Sequence, residues 1–402
     1  MATTSNSNCR EDSQPLPNLP PEIIVEILLR LPVKPLLRLR CVSKSWRSLI
    51  SNPKFAKTHL CLASVNTDYT NRRLILSSSY PRAAVKSCSL YSILNEKSDS
   101  AVELDCPLKV PNLRVTIWGC CDGLVCIGTN TEVFIWNPST RKYKGLPNVE
   151  MSCDCFARFG FGYDDCIDDY KVVGFFFDKH TSGFVPKVKV DTLRSDLWRR
   201  IGDCPHRVPP DVVGTFVNKA LHWIHLSESR DSNDIIVSLD LVKETYGEVS
   251  EPNYRDCYFY EITLGVVDGC LCILRNCSGA CSDVWVMKEY GIRDSWTKLV
   301  VIPYLSHPSE PYLSHPSDWS FSTPLCILEN GEVLLNTTTN LVRYNPKDGT
   351  FSYPKIYNWS YTYSPRSFST CSPRSFSAYP YVESLVLPDS DADSGFQWQH
   401  QY

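Results

Sequence analysis

The sequence predicts a protein of the α+β multidomain class, in which a short helical module precedes an all-β body built as a kelch-like β-propeller. Three observations support this fold class. Apolar residues recur at helical spacing between Leu16 and Leu60. A turn followed by an apolar strand returns about every 50 residues from Asn71 to Asn330. Aromatic residues (16 Phe, 10 Trp and 21 Tyr) open many of the later strands.

The composition excludes several classes of protein. Hydrophobic residues make up 43% of the 402 residues and charged residues 21%, as in soluble globular proteins, which argues against a disordered, collagen-like or membrane protein. The net charge of −3 argues against non-specific nucleic-acid binding. The polar first fourteen residues contain no apolar signal core. We therefore expect a cytoplasmic or nuclear protein with no nucleic-acid or membrane partner.

The 19 cysteines do not form a recognisable ligand or disulfide pattern. Their number is odd, and without a secretion signal a disulfide framework is not favoured. The closely spaced pairs lack the spacing of a zinc site; they are Cys120-Cys121, Cys153-x-Cys155 and Cys270-x-Cys272. We expect reduced cysteines in strands and core, with neither a metal nor a cofactor.

Three short helices are predicted within the helical module. Pro20 and Pro21 suit the first turn of a helix that Pro32 ends. The apolar positions of the three helices are Ile23, Ile24, Ile27, Leu28 and Leu31; Leu36, Leu37, Leu39 and Val42; and Trp46, Leu49 and Ile50. So small a unit does not enclose this many large side chains alone, so it packs on the rest of the chain or presents an apolar patch to a partner.

Charge is divided unevenly along the chain. Residues 16–60 contain eight Lys or Arg and two Glu, which gives +6, whereas residues 1–15 carry −1 and residues 61–402 carry −8. A basic module is suited to an acidic docking surface, because complementary charge speeds encounter. The alternative is a basic face that only contacts solvent.

The helical module resembles an F-box. The resemblance rests on a pattern about 40 residues long: Leu19-Pro20, Ile23, Ile27-Leu28, Leu31-Pro32-Val33, Leu36, Arg38, Arg40, Val42-Ser43-Lys44, Trp46-Arg47 and Leu49-Ile50. In that family the helices bind the small adaptor subunit of a cullin-based ubiquitin ligase. The resemblance implies adaptor contacts at Leu19, Pro20, Ile23, Ile27, Leu28, Leu31, Pro32, Val33, Leu36, Leu39, Val42 and Trp46. Alternatively, some of these side chains, Trp46 especially, hold the helices together.

The remainder of the chain repeats. The repeating element starts at Asn71, Asp122, Asp169, Asn218, Asp268 and Asn330, with spacings of 51, 47, 49, 50 and 62 residues. Short strands at this period are typical of propeller blades, and about six blades fit residues 61–388. We expect the segment Tyr381–Leu387 to complete the first or last blade and close the ring. Aromatic residues are expected to fill the space between blades: Tyr143, Trp198, Tyr246, Trp296 and Phe351.

This body resembles the F-box-associated domain that follows the F-box in a large plant family. The matching phrases are Cys121–Leu124, Trp136–Arg141, Phe161–Asp164, Asp169–Val173 and Tyr381–Leu385. The expected organisation is a disordered N-terminus (1–15), the F-box (16–60), the propeller (61–388) and an acidic flexible tail (389–402).

Two features depart from this pattern without indicating chemistry. Eight-residue duplications at 303–318 and 364–377 are interpreted as neutral loop insertions, although Ser364 and Ser372 precede proline as phosphorylation sites do. The acidic stretch Asp164–Asp169 lacks the glycine and glutamate of an EF-hand and is expected to be a solvated loop. No nucleophile elbow or phosphate loop is present, so no catalytic residue is predicted.

The resemblance implies a non-catalytic substrate-recognition subunit of an SCF-type ubiquitin ligase complex. The F-box would dock the adaptor, and through it the cullin, while the propeller binds an unidentified protein for ubiquitination. Two alternatives stay open: a propeller that binds a small molecule or glycan, or acts enzymatically, with the helices as a structural cap, or an F-box protein that serves an assembly other than a ligase.

Overall fold

The computed structural model describes residues 19–388 with internal gaps. The gaps are residues 67, 79–83, 109–114, 130–131, 149–154, 179–185, 207–212, 226–234, 255–258, 278–280, 304–320, 338–339 and 360–375. The expected disordered N-terminus and acidic tail lie outside the described residues, as do both duplications apart from their edges.

The helical module contains four helices rather than the three predicted. They are α1 (Pro21–Leu29), α2 (Val33–Leu39), α3 (Lys44–Ile50) and α4 (Pro53–Val65); a fifth, α5 (Leu90–Asn95), lies within the propeller. The Ser43 hydroxyl accepts a hydrogen bond from the Trp46 amide at 3.1 Å and so caps α3. Asn52 caps α4 through the Lys54 amide at 2.8 Å, and Pro53 occupies its first turn. Asn52-Pro53 therefore not only ends α3 but also begins another helix.

Twenty-six strands follow in the described residues. The first twelve are β1 (Arg72–Ser78), β2 (Ala84–Ser89), β3 (Ser98–Ser100), β4 (Val102–Glu103), β5 (Thr116–Cys121), β6 (Leu124–Gly128), β7 (Val133–Asn137), β8 (Lys142–Gly145), β9 (Cys155–Asp164), β10 (Asp169–Asp178), β11 (Lys187–Thr192) and β12 (Arg199–Arg200). The others are β13 (Thr215–Val217), β14 (Ala220–His225), β15 (Ile235–Asp240), β16 (Thr245–Val249), β17 (Phe259–Val267), β18 (Cys270–Cys277), β19 (Cys281–Met287), β20 (Trp296–Pro303), β21 (Phe321–Ile327), β22 (Val333–Thr337), β23 (Leu341–Asn345), β24 (Thr350–Ser352), β25 (Lys355–Tyr357) and β26 (Phe376–Val382).

These strands form a six-bladed propeller. Within the described residues, six sheets have four antiparallel strands each, with the orders β26-β1-β2-β4, β5-β6-β7-β8, β9-β10-β11-β12, β13-β14-β15-β16, β17-β18-β19-β20 and β21-β22-β23-β24. The first strand of each sheet contacts the next blade around the ring, and β26 contacts both β5 and β21. Because β26 comes from the end of the chain and pairs with β1 from its start, the first blade closes the ring, as predicted. The closing strand is Phe376–Val382, however, so only Tyr381 and Val382 of the predicted segment belong to it.

The repeated turns set the register of the blades. Asp122-Gly123, Asn218-Lys219 and Asp268-Gly269 each join the first two strands of a blade, and both residues of each turn have positive φ. A two-residue turn with positive φ at both positions matches the twist of paired strands. At three of the six predicted repeat positions, the repeat is therefore a two-residue hairpin turn.

Gly123 carries a second constraint that Gly269 lacks. A Cβ at Gly123 would lie 2.5 Å from the Val382 carbonyl oxygen, whereas a Cβ at Gly269 meets nothing within 4 Å. We expect Gly269→Ala to cost about 1 kcal/mol from backbone strain and Gly123→Ala to cost about 3 kcal/mol, because the closing segment must also move. Urea unfolding of both variants measures the difference; equal losses would contradict a close contact at Gly123.

Hydrogen bonds confirm that three of the five predicted aromatic residues join neighbouring blades. The Trp198 indole donates to Pro147 O at 2.8 Å and the Trp296 indole to Ser250 O at 2.8 Å, while Tyr246 donates to Gly202 O at 3.1 Å. Each acceptor lies on the chain as it leaves the preceding blade. The prediction was wrong for Tyr143, which is 56% exposed and packs edge-on against Phe134 of its own blade.

The acidic stretch Asp164–Asp169 is only partly exposed to solvent. The expectation of a solvated loop was wrong for its two ends. Asp164 and Asp169 are buried. The Asp164 carboxylate lies 2.8 Å from the ammonium group of Lys171, which also lies 2.8 Å from the Glu244 carboxylate of the next blade. Lys171 is itself buried and donates to Leu241 O at 2.5 Å. The turn thus fastens blade three to blade four.

Replacing Lys171 with methionine is expected to cost about 3–5 kcal/mol at pH 7, since two carboxylates lose a buried cation. Burial by itself raises the pKa values of Asp164 and Glu244, but hydrogen bonds to both carboxylates outweigh it. Lys171 and backbone amides donate to Asp164, while Arg199 and Lys171 donate to Glu244. The two pKa values therefore lie below their ordinary values of 3.8 and 4.5. The stabilisation from these two ionised carboxylates is therefore complete above their ordinary pKa values, and it is lost as the pH falls through their lowered pKa values. Urea unfolding from pH 7 to 3 should show the gap between wild type and K171M narrowing below about pH 4; a constant gap would contradict it.

Candidate functional site: the helical module and its junction with the propeller

The four helices share one apolar core. Its buried members are Leu28, Leu29, Val33, Leu36, Ile50, Phe55, Ala56 and Leu385, and Ile24, Val25, Leu31, Leu37, Leu39, Trp46 and Leu49 pack around them. Leu385 comes from the other end of the chain. The module is therefore completed by a residue that follows the last propeller strand.

The twelve residues implied as adaptor contacts divide into three groups by exposure. Leu28, Val33 and Leu36 are buried in the core of the module, and Leu31, Leu39 and Trp46 are half-buried against it. The exposed members are Leu19, Pro20, Ile23, Ile27, Pro32 and Val42. The buried group of Leu28, Val33 and Leu36 stabilises the helices in this structure, and the exposed group is accessible to a partner.

An apolar stripe on α1 is the most prominent feature of the exposed group. Ile23 and Ile27 are each 46% exposed, and residues four apart lie on the same face of a helix. Leu19, just before the helix, is 54% exposed. Large apolar side chains that cluster in solvent mark interaction surfaces.

The module also exposes basic side chains. Those exposed on the first three helices and their turns are Arg30, Lys34, Arg38, Lys44 and Arg47. Arg30 forms an exposed ion pair with Glu26 at 3.2 Å, so one of the two glutamates of the module is already paired. The surface thus combines an apolar stripe with positive charge, which fits an acidic, partly apolar partner surface.

Apolar contacts join the module to the propeller in both directions. Leu385 inserts into the helical core, while Leu60 of α4 and Val386 belong to the core between the second and third blades. Consecutive residues after β26 therefore contact different domains. This exchange of side chains fixes the orientation of the helices on the ring.

Buried hydrogen bonds hold the closing segment in place. The Asn137 side-chain amide donates to Ser384 O at 3.0 Å and to Val386 O at 2.7 Å, and all of Asn137 is buried. The Ser384 hydroxyl donates to Asp122 O at 2.8 Å. Buried backbone carbonyls need such partners. Sequence analysis included Asn137 and Ser384 in the matched phrases but did not predict this role, because the two residues are 247 positions apart.

Polar contacts at α4 complete the junction. Lys57 of α4 forms an ion pair with Asp168 in the turn between β9 and β10, and the His59 ring nitrogen Nε2 lies 2.8 Å from Leu31 O. Arg72, the first residue of β1, donates a hydrogen bond to Ser64 O of α4 at 3.3 Å and lies 3.9 Å from Asp268 in the turn between β17 and β18. The helices therefore lie over the end of the propeller that carries these turns.

A cleft of about 250 Å³ lies between α4 and the second and third blades. Tyr170 donates to the Asp122 carboxylate at 3.0 Å. Burial raises the pKa of Asp122 and outweighs the hydrogen bond from Tyr170 and the charge of Lys57, which act in the opposite direction. The polar groups of the cleft mostly bind one another, so they join α4 to the ring. Among the described helices, none is long and apolar enough to cross a membrane.

Comparisons with known proteins agree with these two units. Residues 16–58 match the F-box domain, and residues 74–386 match the F-box associated beta propeller domain. An F-box/kelch-repeat protein of Arabidopsis thaliana is 34% identical over 84% of this chain and 90% of its own length. The F-box protein CPR1 of Arabidopsis thaliana is 31% identical over 71% of this chain and 73% of its own.

Solved structures are much less similar. An oligogalacturonate lyase in complex with manganese aligns over 73% of this chain and 81% of its own, with 11% identity and a TM-score of 0.41. A TM-score this low does not establish a structural relationship.

The family matches span most of the sequence, and their boundaries agree with the helices and the blades. The chain therefore belongs to the F-box proteins whose F-box is followed by an F-box-associated β-propeller domain.

Proposed function

We propose that this chain is the substrate-recognition subunit of an SCF-type, cullin-based ubiquitin ligase. F-box domains in general bind a small adaptor subunit and through it the cullin, and F-box proteins are typically non-catalytic adaptors. The observation that carries the proposal is the exposed apolar stripe of Leu19, Ile23 and Ile27 on a basic module. This chain would bring a target protein to the ligase, and catalysis would take place on other subunits.

The exposure of each residue suggests how the adaptor surface is built. Direct contact is proposed for the exposed group Leu19, Pro20, Ile23, Ile27, Pro32 and Val42. The half-buried Trp46 and Leu31 would contribute their exposed edges, while Leu36 and the other buried members would support the helices from within. Such a division is usual in interfaces, where a few exposed apolar residues supply most of the binding energy.

The propeller end away from α4 is the proposed site for the target protein. The contacts of Lys57 and Arg72 place the helices over the end that carries the β9–β10 and β17–β18 turns. An adaptor bound there leaves the opposite end accessible. Because Leu385 and Leu60 fix the module on the ring, a target at that end would stay at a defined distance from the ligase, which raises the effective concentration of its lysines.

Reconstitution tests the proposal directly. The full chain should copurify with the adaptor and cullin subunits, and proximity labelling with ligase activity blocked should enrich target proteins. A captured target should then receive ubiquitin in a purified reaction only when this chain is present. A full chain that fails to bind the adaptor would contradict the ligase role. A propeller that is thermally stabilised by a small molecule or glycan, without any adaptor binding, would instead support the structural-cap alternative.

A further inference from the structure

We propose that Cys277 and Cys281 form an oxidisable dithiol, a modification site at one end of the two central strands of the fifth blade that closes to a disulfide on reaction with a peroxide. β18 and β19 pair with Asn276 opposite Ser282. One further step in this register places Cys277 opposite Cys281, and directly opposite residues point to the same face of a sheet. The inference does not depend on the proposed ligase function.

The geometry permits a bond between the two sulfurs. Their Sγ atoms and one Asp283 carboxylate oxygen all lie within 4.8 Å of one another, and both cysteines are thiols in this structure. Opposite residues in an antiparallel pair have Cα atoms about 4.5–5.5 Å apart, which lies within the range that disulfides span. Closure therefore requires side-chain rotation and little backbone movement.

Burial divides the roles of the two thiols. Cys281 is half-buried, whereas Cys277 is only 2% exposed, so the peroxide is proposed to react first at Cys281. The Cys281 thiolate attacks one peroxide oxygen, which breaks the O–O bond and gives a sulfenic acid and hydroxide. The Cys277 sulfur then attacks that sulfenic sulfur and displaces the oxygen as water. Overall, two thiols and one hydrogen peroxide give one disulfide and two waters.

The charges around Asp283 favour this chemistry over a metal site. Asp283 is the third potential ligand, but its carboxylate lies 2.9 Å from Arg275 and 3.1 Å from Lys298. Both Arg275 and Asp283 are almost completely buried. A divalent ion would have to approach these two cations, which repel it. The two sulfurs, by contrast, need no change in this ion-pair network.

The site lies at the propeller end away from the helices. β18 begins after the turn that contains Asp268, which Arg72 contacts beside α4. Cys277 is the last residue of the same strand, about 23 Å farther along at the usual rise per residue. A disulfide there would link the two strands on either side of residues 278–280 and stabilise that end of the blade against unfolding.

Peptide mass spectrometry of the full chain tests the proposal. After graded hydrogen peroxide, alkylation and digestion at Arg275 and Lys288, the peptide 276–288 should become lighter by two hydrogens and resist alkylation until dithiothreitol is added. Cys281→Ser should leave Cys277 reduced, and Cys277→Ser should leave a dimedone-reactive sulfenic acid at Cys281. Cys41→Ser, at an exposed cysteine of the helical module, is the matched control and should not change the result.

Two outcomes would overturn the proposal. One is a peptide whose two cysteines both remain alkylatable at peroxide levels that oxidise Cys41. The other is stoichiometric zinc binding that protects both thiols and is lost in Asp283→Asn, since this would assign the cluster to a metal. Unchanged thermal unfolding of the cysteine variants shows that they are folded.

Discussion

Replacing both Ile23 and Ile27 with aspartate is expected to abolish adaptor binding while leaving the chain folded. The two side chains project from one face of α1 into solvent, so the free protein loses little when they become polar. In a complex, however, each apolar side chain would lose about 2 kcal/mol of burial, and each new carboxylate would be desolvated. The affinity should fall at least about 1,000-fold, as measured by calorimetry with the purified adaptor.

Two control variants separate a binding defect from a folding defect. Ile292 is also exposed (53%) but lies on the fifth blade, so Ile292→Asp should bind the adaptor as the wild type does. Leu36→Asp places a charge in the helical core, where Leu36 is fully buried, and should lower both the unfolding temperature and binding. Wild-type affinity in the Ile23, Ile27 double variant would refute the proposed docking surface.

Ending the chain after residue 375 is expected to prevent the propeller from folding into a soluble ring. This truncation removes β26 and with it the pairing to β1 along seven residues. It also removes the buried side chains of Phe376, Tyr381 and Leu385, each worth about 2 kcal/mol. A loss of this size is comparable to the whole stability of a typical domain, and the open edge of β1 would promote aggregation.

A shorter truncation is the matched control. Ending the chain after Pro388 removes only residues 389–402 and keeps β26 and the closing segment. Size-exclusion chromatography and circular dichroism should show a folded monomeric propeller for the shorter truncation and aggregate for the longer one. If the chain that ends at residue 375 were soluble and folded, with the same unfolding temperature as the wild type, closure by β26 would not be required for stability.

Much of the architecture could be predicted because it depends on short-range patterns. The Asp122-Gly123 and Asp268-Gly269 turns follow from residues that accept positive φ, and their repetition determines the number of blades. The apolar positions of α1 likewise predict that this segment is a helix. The three predicted helices do not include α4, although Asn52 and Pro53 are residues typical of a helix N-terminus.

The candidate site was predicted less completely, because exposure depends on neighbours distant in sequence. Resemblance grouped Ile27 with Leu28 as adaptor contacts, but only the fold shows that Ile27 is exposed and Leu28 buried. In the same way, Asp164 was expected in solvent, yet a lysine on the neighbouring strand and a glutamate of the next blade surround it. No local pattern contains this information.

By itself, the sequence determined the two-domain organisation, the family and the repeat of six blades, since these depend on periodicity and turn residues along the chain. The tertiary structure alone decided which strand closes the ring, how the helices are fastened to it and which side chains face a partner. Leu385 shows the reason: it completes a helical core more than 300 residues earlier in the chain. Its burial depends on the packing of a closed ring, because only closure brings the two ends of the chain together.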